Sequence, residues 1–242
     1  MDTAYLMLSD GRFPSGGHAH SSGLEAAVAA GRVTDLAGVA AFLRGRLHTA
    51  GPVTAAFTAA AHHTAALTPS GRLGRVPSTS DNDKKGPFLS LVELDGELEA
   101  RTVSPALRLA SRRQGRALLR AGRATWPSEL YAALPQHPDG PHQALTLGVV
   151  AAAAGLSAEQ AARIAVFHVV TGPASAAVRL LGLDPYQVQR QLALLAPDCD
   201  AVAANAAALA YKPPAELPSH SAPLADISAE LHATWEVRLF AS

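Results

Sequence analysis

Apolar positions recur at helical spacing through most of the chain, and turn residues punctuate them. After Thr34, an N-cap residue, Leu36, Val39, Ala40, Leu43 and Leu47 line one helical face. Before it, Ser22-Gly23-Leu24-Glu25 has capping-box spacing and predicts a short helix that Gly31 ends. A third helix is predicted from Pro52 to Leu67, with proline in the first turn, where no amide donor is missed. Residues 68–87 break the pattern. Rich in Pro, Gly, Ser and charge, they lack the apolar groups that offset ordering entropy and read as a disordered loop.

Helical patterning then resumes from Phe88 to Thr102, from Ser104-Pro105 to Ala121, and briefly from Pro127 to Leu134. An Ala-rich stretch reaches Ala154. A capping box at Ser157-Ala158-Glu159-Gln160 opens a helix that Gly172-Pro173 is expected to kink or break. Asp184-Pro185 opens another, and Asp198 to Ala210 forms one more. After the proline-rich 212–223 segment, Ile227, Leu231, Trp235 and Leu239 fall at i, i+4, i+8 and i+12, one apolar stripe if helical. No sustained strand alternation interrupts this. The chain reads as all-α: a single multi-helix domain over 1–242, with about ten helices counted from caps and breakers, and a distinct C-terminal segment at 224–242.

Composition narrows the function. Hydrophobic residues make up 48% and aromatics 5%, with much Ala and Leu, which favours helix. Lys+Arg and Asp+Glu number 20 each, so overall charge predicts neither a nucleic-acid nor a membrane partner. The single cysteine, Cys199, excludes an internal disulfide and a cysteine-based zinc site. The first residues lack the basic region of a signal peptide, and the most apolar stretch, Leu145 to Leu156, is too short to cross a bilayer. A cytoplasmic protein is expected.

Two stretches resemble the UreF family of urease accessory proteins. One is Phe13-Pro14-Ser15-Gly16-Gly17-His18-Ala19-His20-Ser21-Ser22-Gly23-Leu24-Glu25; the other is Arg238-Leu239-Phe240-Ala241-Ser242. Arg108 to Leu119, Gly148 to Leu156 and Ser175 to Leu180 add weaker matches in the same order. The resemblance implies a helical, non-enzymatic scaffold that dimerises and assists nickel insertion into urease. It also implies partners: the accessory protein UreD (UreH in some species), the GTPase UreG, and apo-urease. It points to partner contacts at Trp235, Arg238, Leu239 and Phe240, and in the loop and helix carrying Pro14, Gly16, Gly17, Gly23 and Glu25. The three glycines permit tight turns and close approach of another chain. Glu25 is expected to cap its own helix first and to contact a partner second.

Other features offer chemistry of their own. His18-x-His20 supplies imidazoles suited to nickel, but two ligands leave a site open, and loop histidines are more often solvated. His62 and His63 point to different sides of a helix, and His168 reads as a hydrogen-bonded core residue. Arg108, Arg112, Arg116 and Arg120 repeat at i+4, with no acid between Thr102 and Ser128. This stripe is the basis of an alternative, a helical DNA-binding regulator. The plainer reading is a solvated face or one paired with acids elsewhere, followed by protein docking. A metal hydrolase would need clustered His and acidic ligands, and no His-Glu-x-x-His or paired Glu-x-x-His occurs.

Overall fold

Several helix starts follow their capping chemistry. In the computed structural model, which describes residues 3–17, 20–67 and 90–240, nine α-helices and no β-strand occur among the described residues. They are α1 (Thr3–Ser9), α2 (Leu24–Ala29), α3 (Leu36–Leu67), α4 (Leu91–Arg101), α5 (Pro105–Thr125), α6 (Gln143–Ala153), α7 (Ala158–Leu181), α8 (Pro185–Ala207) and α9 (Pro223–Ala233). The Ser157–Gln160 capping box forms as expected, and a second one forms between Ser90 and Glu93. Ser104 and Asp184 each cap a helix whose first residue is proline. The expected loop at 68–87 lies outside the described residues.

The prolines do not break helices as the sequence suggested. Pro52, Pro173 and Pro197 lie inside α3, α7 and α8, so each pair of expected segments is one helix. An interior proline costs about 3 kcal/mol in an isolated helix. Here buried neighbours hold the backbone on course: Gly51 and Ala55 around Pro52, Pro173 itself with Ala174, and Leu195 before Pro197. Joining these pieces also changes the hydropathy reading. The longest apolar helix is α7, with an 18-residue stretch of mean hydropathy 1.5, long and apolar enough to cross a membrane; half of that stretch is buried inside the fold.

The 32-residue α3 forms the axis, packed against α6, α7 and α8. Helix α6 is buried along Ala144–Ala151, apolar all round, as a helix enclosed by others must be. Its opposite side is covered by α5. Two glycines set these distances. A Cβ at Gly148 would lie 2.3 Å from the Thr58 carbonyl oxygen of α3, and one at Gly115 of α5 would lie 2.0 Å from the Pro141 oxygen. Helix α9 rests on α5 and α2, near the edge of this core.

Candidate partner-docking site

Helix α9 is amphipathic in the reverse sense. Its buried face is Ser228, Ala229 and His232. Polar groups clip that side to the body. Arg32 donates to Ser228 Oγ at 2.8 Å, and the Glu230 carboxylate accepts from Ser104 Oγ and, at 2.9 Å, from the Ala106 amide at the start of α5. A carboxylate at a helix N-terminus meets unsatisfied amides and the positive end of the dipole. The outward face is apolar: Leu224, Ile227 and Leu231 are 58%, 58% and 61% exposed. The stripe read from the sequence is therefore present on the solvent side, but only in part. The helix ends at Ala233, so Trp235 and Leu239 do not continue it. Trp235 is half-buried, its ring 4.7 Å from that of His232.

Beyond α9 the chain turns back onto α2. The Glu25 carboxylate accepts from the Leu239 amide at 2.8 Å, the Phe240 amide at 3.0 Å and His232 Nε2 at 2.9 Å. Burial pushes the Glu25 pKa up, but these donors outweigh burial and leave it below the ordinary carboxylate value. Phe240 is buried, with the Arg179 guanidinium 4.6 Å over its ring. Arg238 and Leu239 stay exposed.

One sequence expectation is corrected here. Glu25 does not cap its helix. Ser22 adopts a left-handed φ of 54°, Gly23 stands at the N-cap with φ 88°, and Ser21 Oγ accepts from the Glu25 amide instead. Phe240, expected to supply apolar surface to a partner, is packed on its own chain in the absence of one. The docking candidates it leaves at the surface are Arg238 and Leu239. Sequence reading missed His232 and Arg179; a histidine seven residues before Leu239 carries no local signal of a partner at residue 25.

The glycine-rich loop lies beside α5. Phe13 is buried and stacks on Trp126, with centroids 5.7 Å apart. Pro14 and Gly17 are exposed, Gly16 is half-buried at φ 78°, and Gly23 is buried. His18 lies outside the described residues. His20 is half-buried, its amide donating to the Gly17 carbonyl at 3.2 Å. Among the described residues no group of three or more His, Cys, Asp or Glu side chains is placed to hold a metal ion. His62 is buried, with Nε2 2.7 Å from the Leu156 oxygen, and His168 bonds to the backbone of Leu8 and Ser9.

Part of the arginine stripe is spent inside the fold. Arg112 is buried and meets Asp95 at 2.9 Å, Glu99 at 2.6 Å and the Gly140 carbonyl at 3.0 Å. Arg108 also meets Glu99, at 2.9 Å, and Arg116 approaches Asp139 at 3.8 Å. Arg120 is exposed. The acids that pair with Arg108 and Arg112 come from α4, which takes these two out of the basic face of the DNA-binding alternative, while Arg113, Arg116, Arg120 and Arg123 stay exposed. His142, fully buried beside this network, has a pKa lowered by burial and by Arg112. Its neutral ring fits a relay in which Gln143 N–H donates to Ser111 Oγ, Ser111 to His142 Nδ1, and His142 Nε2 to Glu99.

Comparison with known proteins gives one family. The UreF family model matches residues 33–196. The chain is 40% identical over 237 residues to the urease accessory protein UreF of Mycolicibacterium vanbaalenii, covering 98% of this chain and 97% of that one. It is 41% identical over 240 residues to the protein of the same name from Mycobacterium sp. strain JLS, covering 99% and 98%. The Mycobacterium tuberculosis protein of that name is 38% identical over 227 residues, covering 94% of this chain and 92% of its own.

Proposed function

The chain belongs to the UreF family of urease accessory proteins, and from that membership we propose that it is a dimeric cytoplasmic scaffold for nickel insertion that works by presenting α9 to another accessory protein. Its partners would be a UreD-type protein, the GTPase UreG and apo-urease, with nickel as cargo of the assembly. Family membership makes it an accessory protein rather than an enzyme.

The observation that carries the docking surface is the outward apolar face of α9. Leu224, Ile227 and Leu231 are held in one orientation by polar clips on the other side of the helix. Val237 and Leu239 of the returning tail are also exposed, at 85% and 73%. An apolar helix face turned to solvent is unfavourable in water and is a common mark of protein contact. Arg238 adds a charged donor at its rim. The loop residues Pro14, Gly16 and Gly17 offer a second contact on the same reading.

Ile227→Asp with Leu231→Asp is expected to abolish co-purification with the UreD-type partner and to lower urease activation in cells by at least about tenfold, the scale of losing a central apolar anchor. Helical circular dichroism should be retained, because the buried face is untouched. Wild-type co-purification by the double variant would overturn the assignment. Deleting the tail is a poorer test, since it also strips Glu25 of two donors.

A further inference from the structure

A cleft of about 250 Å³ lies between α3, α5, α6, α7 and the segment entering α9. Much of its wall is neutral and polar, including Thr49 and Thr54 of α3, Ser111 and Gln114 of α5, and Gln143 of α6. Two guanidinium groups reach it. Arg101 is committed elsewhere: it pairs with Glu97, donates to the Pro214 carbonyl at 3.0 Å and lies over the Phe57 ring. Arg46 is different. Its Nε, like that of Arg101, is buried with no hydrogen-bond partner, but among the described residues no acid stands within ion-pair distance of the rest of its guanidinium. Burial alone acts on this group and pulls its pKa down to about 10. Asp226 lines the same cleft, but no ion pair joins the two; burial, then Glu230, raises its pKa.

A half-buried cation whose Nε is sealed from water without a counter-charge is costly to keep. Here it is kept in a recess where Thr54, Gln114 and Gln143 offer side-chain donors, while Thr49 and Ser111 already donate to the Gly45 carbonyl and to His142 Nδ1. That donor set complements the oxygens of an anion, and a guanidinium fork matches two of them at once. We propose that this cleft binds a small oxyanion through Arg46, either a free carboxylate or phosphate or the acidic side chain of a docked protein. The site lies on the inner side of the chain entering α9, with exposed His220 and Ser221 in its lining. It is therefore separate from the apolar docking face.

The test is a melting titration of the full chain with citrate and with inorganic phosphate, ionic strength held constant with chloride. In the wild type the midpoint should rise by about 3–5 °C for each tenfold increase in anion above its dissociation constant. Arg46→Met should melt at or above the wild type without added anion and should not respond. Arg46→Lys, which keeps charge but loses the fork, should respond more weakly and covers the case in which Met misfolds. A flat wild-type titration, or an equal response in Arg46→Met, overturns the site.

The source of the anion is read separately, on the assumption of the UreD-type partner. Phosphate in the wash that releases the partner from wild type, and not from Arg46→Met, identifies a partner's acid. Unchanged yield identifies a free anion. If the α9 double variant refutes the docking face, the melting result still stands or falls alone.

Discussion

Glu25→Ala is expected to cost about 3 kcal/mol and to free the returning tail. The carboxylate is buried and accepts from two amides and one imidazole contributed by residues more than 200 positions away. Removing it leaves His232, which has no exposed surface, beside an unfilled space, and leaves the Leu239 and Phe240 amides without their acceptor. Each bond to a charged group contributes about 1.5–3 kcal/mol, but the sum is bounded because the tail can lift away and rehydrate. Phe240 would then leave Arg179 and become exposed. A urea titration should show the loss, and limited proteolysis should cut the variant after α9 well before the wild type. Glu25→Gln should fall between them, since an amide replaces one acceptor oxygen with a donor that faces other donors. Unaltered proteolysis of Glu25→Ala would show that the tail is held by something else.

The same group sets a pH dependence. Its folded pKa is depressed, so its stabilisation is fully present above the unfolded value, 4.5, and is lost as pH falls below that value through the folded one. Wild-type tail protection should therefore persist at neutral pH and fade in acid. Glu25→Gln should show no such transition at the tail. A tail that is released equally in both proteins on acidification would assign the effect to other carboxylates.

What could be read from the residues was local, and what could not was long-range. Ser157 and Gln160 form their box because both partners lie within one turn. Ser22 and Glu25 have the same spacing, yet the box fails: Ser22 is in the left-handed region and the Glu25 carboxylate is occupied by the tail. Nothing within four residues carries that information. The prolines fail as breakers for a related reason, because burial of α3, α7 and α8 outweighs a local cost that sequence rules treat as decisive. Arg108 and Arg112 looked unpaired because their acids, Asp95 and Glu99, sit on α4, 17 and 13 positions before Arg112. The apolar stripe of α9 was legible as a pattern but not in its direction. Periodicity shows that one face differs from the other; it does not say which one meets the core. Here Ser228 and His232 face inward because Arg32 and Glu25 are there to receive them.

Gly148→Ala should be as damaging as the loss of Glu25, although it adds one carbon. That carbon would stand 2.3 Å from the Thr58 carbonyl oxygen and 2.8 Å from the His62 amide nitrogen. Both are backbone atoms of the axial helix, so no side chain can swing aside, and the helices would have to part by about 1 Å to restore contact distance. Part of the buried surface between α3 and α6 would loosen with them. Overpacking at such a site costs about 3 kcal/mol, the upper end of its usual range. Gly96 supplies the control. It is exposed within α4, and a Cβ there would meet nothing within 4 Å. Gly96→Ala should stabilise by up to about 1 kcal/mol through helix propensity alone. The two substitutions are chemically the same and opposite in sign, so paired urea midpoints isolate the packing effect from propensity. If Gly148→Ala also melts at or above the wild type, α6 does not sit against α3 at the distance described.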